Sequence, residues 1–186
     1  MDLFEFILVI TSVIFALAVA QILSGVSRIS QSTSPVRLFL PHSVWVLNLF
    51  IFLFLSWWAS WEFREIEWTF PKYAYMLIAP TLLYFACSLL IPQRLESAAI
   101  SMEEHFFLIR RPLFASYFFA YSAAMVDGNV LGDEILWYPG RLGQIPILVL
   151  AIWAYATTNR FAHSLISVAT LFVFLALITL RFWNPR

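Results

Sequence analysis

Charge is what this sequence has least of. Its 186 residues include eleven basic and eleven acidic side chains, 12% charged in all, and they cancel to zero formal net charge. No basic surplus is available to neutralise phosphates, so no nucleic-acid partner is expected. There is a single cysteine, Cys87, which excludes an intramolecular disulfide framework; lying in an apolar run, it reads as a small packing residue. Also missing are a glycine-rich phosphate loop, a G-x-S-x-G elbow, an H-E-x-x-H helix and a Cys-x-x-Cys pair. No cofactor or resident metal is expected, and an enzyme is the least supported functional class.

What is present is apolar. Hydrophobic residues make up 62% of the chain, aromatics 18%, and the mean hydropathy is +0.83. Soluble domains run at about half apolar and a quarter charged, whereas one membrane crossing needs about 20 apolar residues. The expected fold class is therefore all-α, a polytopic membrane helical bundle in one domain covering 1–186. Its predicted spans are 3–26, 38–61, 71–91, 113–126, 144–158 and 163–183. The runs are long and lack two-residue alternation, which argues against an outer-membrane barrel. The first run opens with Asp2 and Glu5 where a secretory signal would open with positive charge, so it is expected to be a retained helix.

Pro80 falls inside the third predicted span and should kink it. Between the third and fourth spans, Ser101 and Glu104 have capping-box spacing, and Met102, His105, Phe106 and Ile109 share one helical face. This predicts a short amphipathic helix on the membrane surface, ended by a turn at Arg110-Arg111-Pro112.

Six spans put both termini on one face with the even loops. The odd-loop face then carries six basic and three acidic residues, the other five and eight. The positive-inside rule counts Lys and Arg, and it favours cytoplasmic odd loops with periplasmic termini. Trp57, Trp58, Trp61, Trp68, Trp137 and Trp183 would form an interfacial belt at the terminal face.

No charge is predicted near the bilayer centre, which lowers the prospect of a proton-driven pump. The deeper polar side chains are Gln21 and Asn48. They read either as interhelical hydrogen-bonding groups, the commoner role, or as the lining of a polar cavity. Ser12, Ala16, Ala20 and Ser24, with Gly25 beside them, form a small-residue stripe suited to close helix approach. An intramolecular seam is the expected use, a homo-oligomer contact the alternative. His42, His105 and His163 all fall at the odd-loop face, where interfacial histidines are expected and a metal site is the sharper reading. Arg110 and Arg111 are ordinary positive-inside charge or contacts to lipid headgroups. Asp127, Asp133 and Glu134 make an acidic outer loop without EF-hand ligand order.

Gln21-Ile-Leu-Ser-Gly25, Trp45, the Trp57-Trp58 pair and the prolines at 80 and 92 resemble a group of small multi-span bacterial membrane proteins of uncharacterised function. The resemblance covers about the first half of the chain. It implies a bacterial inner membrane and carries over no activity, ligand or site residue. The expected partners are the lipid bilayer and a second copy or another membrane protein. Function is expected to be a small transporter or channel-like protein, with a non-catalytic scaffold or accessory subunit as the alternative.

Overall fold

The computed structural model describes residues 3–92, 100–131 and 144–179. It is all-helical apart from a two-residue bridge between loops. We label the elements α1 (Leu3–Ser30), β1 (Val36–Arg37), α2 (Leu40–Ala59), a 3₁₀ turn (Ser60–Phe63), α3 (Phe70–Met76), α4 (Ile78–Leu90), β2 (Ile100–Ser101), α5 (Met102–Leu131), α6 (Ile145–Ala156) and α7 (Arg160–Leu177). β1 and β2 pair in parallel, with Val36 opposite Ile100 and Arg37 opposite Ser101.

Among the described residues four stretches are long and apolar enough to cross a membrane: Leu3–Ser30, Leu40–Phe63, Phe70–Leu90 and Arg160–Leu177. About a third or less of each is buried. The outward faces are themselves apolar, with Leu17, Phe54, Phe85, Phe119, Ile152 and Phe172 all exposed, on six different helices. A monomeric soluble protein rarely shows contiguous apolar surface on this scale, whereas a helix that is apolar all round suits lipid. Of the six predicted spans, the first, second, third and sixth overlap these four stretches, and the fourth and fifth do not meet the same length and composition. Arg110, Arg111 and Asp127 interrupt α5, and α6 has only 12 residues.

Several helix ends have a local chemical cause. Glu5 in the first turn of α1 and Arg28 in its last complement the helix dipole. The buried positions Phe4, Ile7, Thr11, Phe15, Ala18, Ile22 and Gly25 recur every three or four residues and turn one stripe inward. Pro41 stands in the first turn of α2, where a missing N–H is harmless. Asn159 caps α7, its side-chain oxygen accepting from Phe161 N at 2.8 Å and Ala162 N at 3.3 Å.

The third predicted span is divided. α3 ends at Met76 and α4 begins at Ile78. Pro80 cannot donate to the Met76 carbonyl four residues earlier, and its ring crowds that carbonyl, so the break falls one turn before the proline.

One prediction fails outright. The expected surface helix over 101–109 and the fourth span over 113–126 are a single 30-residue helix, α5, running through Pro112. Met102, Phe106 and Ile109 are buried in the bundle, not laid on a membrane surface. The apolar stripe continues in phase through Leu113, Tyr117 and Ala120, so one helix buries what two would leave partly exposed. Pro112 and Leu108, whose carbonyl the proline leaves without its helical donor, are both exposed. The predicted Ser101 cap survives, its hydroxyl oxygen accepting from Glu104 N at 3.3 Å.

In the packed bundle α4 lies between α1 and α5, α5 also contacts α6, and α2 packs against α7. Aromatic rings fill the interior. Trp45 meets Phe114 at 4.8 Å and Tyr117 at 5.1 Å between ring centroids, and Phe52 meets Tyr121 at 5.0 Å and Phe174 at 5.8 Å. The two Trp45 pairs are edge-on and the Phe52–Phe174 pair is stacked; aromatic pairs of these kinds add about 0.5–1.5 kcal/mol each beyond area burial. The column extends through Phe106 to His163, 5.0 Å from it.

Candidate ligand cavity at one end of the bundle

A cavity of about 110 Å³ opens at the end of the bundle that holds the start of α1 and the end of α2. It owes its shape to the break before Pro80. Met76, Ala79 and Pro80 form one wall, Thr11 and Phe15 of α1 and Ser56 and Ala59 of α2 another, and Ala123, Ala124 and Asp127 of α5 a third. Phe52, Tyr121 and Phe174, the last rings of the aromatic column, also line it. Glu62 on the 3₁₀ turn and Gln144 before α6 complete the lining. A cavity of about 150 Å³ admits benzene, so this one suits a group of a few non-hydrogen atoms.

Its polar chemistry favours acceptors. The Thr11 hydroxyl donates to Ile7 O at 2.9 Å and the Ser60 hydroxyl to Ser56 O at 3.1 Å, each leaving its own oxygen able to accept. Ser56 Oγ is buried with no hydrogen-bond partner. Tyr75 donates its hydroxyl to Ala123 O at 2.7 Å, tying α3 to α5 across the break. Asp127 Oδ1 accepts from Gly128 N at 2.6 Å. Two carboxylates, Glu62 and Asp127, line the cavity, and no Lys, Arg or His is among the described lining residues.

The residues singled out from sequence lie elsewhere. Asn48 is fully buried, its Nδ2 donating to Ser167 O at 2.9 Å while its Oδ1 finds no partner. It joins α2 to α7. Gln21 is half-buried, and neither residue lines the cavity. The small-residue stripe is not the expected internal seam. Ala16, Ala20 and Ser24 are exposed, because they fall on the side of α1 roughly opposite its buried stripe. Ser12 is half-buried and accepts from Trp57 Nε1 at 3.0 Å. Gly25 alone is buried, and a methyl group there would sit 2.5 Å from Ile91 Cδ1.

The three histidines serve backbone carbonyls. His42 Nε2 donates to Leu90 O at 2.7 Å and His105 Nε2 to Leu89 O at 2.9 Å, so two imidazoles from other helices satisfy the last carbonyls of α4. His163 Nε2 donates to Thr157 O at 3.1 Å. Among the described residues no group of three His, Cys, Asp or Glu side chains is placed to hold a metal ion.

Of the expected tryptophan belt, Trp57, Trp58 and Trp61 are exposed, and Trp68 and Trp61 both contact Phe4 near the cavity end. Trp137 and Trp183 lie outside the described residues, as do Asp133 and Glu134 of the acidic loop and the end of the sixth predicted span. Sequence reasoning missed Ser56, Glu62 and Tyr75. The available signal was Pro80, since a broken helix leaves room beside it.

Compared with known proteins, the chain matches no family model, no curated protein and no solved structure.

Proposed function

We propose that this protein is a membrane-embedded carrier for a small solute bearing an ammonium or similar cationic group. The observation that carries the reading is the cavity: open at one end of the bundle, lined by hydroxyl oxygens and two carboxylates, and backed by a packed aromatic column. A channel would need a continuous polar path, and Trp45, Phe114 and Tyr117, each at most 1% exposed, stand in its way. A carrier open to one side and closed to the other has this form.

The proposal includes six crossings, in a bacterial inner membrane with periplasmic termini. Gln144 lines the cavity, while Arg160 pairs with Glu103 at the start of α5. This supports a crossing by the segment between them, although α6 spans only about 18 Å at ~1.5 Å per residue. The membrane identity rests on the sequence resemblance, and the orientation on the bias in basic residues.

Uptake of labelled methylammonium and choline into proteoliposomes tests the reading, with acetate as the anionic control. Saturable cation uptake above empty liposomes, lowered by Glu62→Gln, is the expected result. Uptake equal to empty liposomes for every cation would remove the carrier reading. The second reading is a scaffold or accessory subunit, favoured by the exposed Ala16, Ala20 and Ser24 on α1, where another helix could approach closely.

A further inference from the structure

At the end of the bundle opposite the cavity, Arg110 is 7% exposed, and its Nε is buried without a hydrogen-bond partner. It makes no ion pair with any described residue. An arginine cannot shed its proton, and an uncompensated buried guanidinium is strongly unfavourable. Such a group calls for an anion.

The surroundings supply a place for one. Arg110 lines an open depression together with Arg37, Arg160, Ser101 and Thr158. The parallel bridge sets Arg37 opposite Ser101, and Thr158 and Arg160 flank the cap residue of α7. Two carboxylates share the depression: Glu103, which is paired with Arg160, and the exposed Glu104. Three guanidiniums against two carboxylates leave one positive charge in excess, and the buried one lacks a protein counterion among the described residues.

We infer that this depression binds a phosphate group, with Arg110 as the buried anchor and Arg37 and Arg160 at the rim. Planar guanidiniums match phosphate oxygens in paired hydrogen bonds, and Ser101 and Thr158 add hydroxyl donors. The phosphate belongs either to an anionic lipid headgroup at the membrane surface or to a free anion in water. The site is independent of the cavity and does not rest on the carrier reading.

The test is the thermal unfolding midpoint of the purified full chain in a neutral detergent. Titrants are phosphatidylglycerol against phosphatidylcholine, and sodium phosphate against sodium chloride at matched ionic strength. A rise with phosphatidylglycerol alone assigns the lipid headgroup; a rise with phosphate as well assigns the small anion, and either supports the site. Arg37→Gln and Arg160→Gln should each raise the half-saturating concentration about fivefold, the equivalent of about 1 kcal/mol per basic residue. Arg110→Met should abolish the selectivity. Should that variant not fold, the two exposed rim variants decide. Equal midpoints in both pairs of titrations, or rim variants that titrate like the wild type, would overturn the inference.

Discussion

The Tyr75 hydroxyl donates to the Ala123 carbonyl oxygen at 2.7 Å, joining α3 to α5 beside the break that Pro80 imposes. α3 is only seven residues long and packs against α4 and α5. The phenol fixes it against α5 and so fixes the cavity wall. Tyr75→Phe keeps the ring and removes the bond. It should lower stability by about 0.5–1.5 kcal/mol and weaken ligand binding at the cavity, both read by unfolding in detergent with and without ligand. Unchanged stability and binding would show that the wall is held by something else.

Gly25 of α1 packs closely against Ile91, the residue that follows α4. A Cβ at position 25 would meet Ile91 Cδ1 at 2.5 Å and Ile91 Cβ at 2.9 Å, so the branch point as well as the tip of the side chain must move. Gly25→Ala should therefore destabilise by about 1–3 kcal/mol, despite the helix propensity it gains. Adding Ile91→Ala should recover much of the loss. Additive effects in this double-mutant cycle would contradict the contact.

Much of the fold was legible because apolar length and helical period are local properties. α1, α2 and α6 fall within a few residues of their predicted places, α7 begins three residues before the predicted start at 163, and the kink at Pro80 follows from one residue's chemistry. The continuous α5 was not read, because Arg110-Arg111-Pro112 looks like punctuation when the phase of the stripe across it is ignored. The cavity was not read either. It depends on which helices become neighbours, and that depends on contacts such as Asn48 to Ser167, 119 residues apart in sequence.

His42 and His105 stand in for the usual C-terminal cap of α4. Replacing the 2%-exposed His42 by leucine leaves the Leu90 carbonyl buried without its donor, a loss of about 1–3 kcal/mol. His42→Gln supplies an N–H from a side chain of similar reach and should restore part of it. Chemical unfolding of the two variants provides the comparison; equal stabilities would dismiss the capping role.

Asn48→Leu separates packing from ligand binding. Asn48 bonds α7 and does not line the cavity, so the variant should lose about 0.6 kcal/mol, the average for hydrogen bonds between membrane helices. Its ligand affinity should equal the wild type's. A large affinity loss at unchanged stability would return Asn48 to the binding site.

The most direct test of the cavity as a cation site is equilibrium binding of methylammonium to the protein in nanodiscs, comparing wild type with Ala124→Phe. Ala124 lines the cavity, and a phenyl ring there would occupy it while the rest of the bundle stays as it is. The account predicts saturable binding to the wild type, none to the filled variant, and unfolding midpoints at least as high in the variant. Equal binding by both proteins, or none by either, would contradict it.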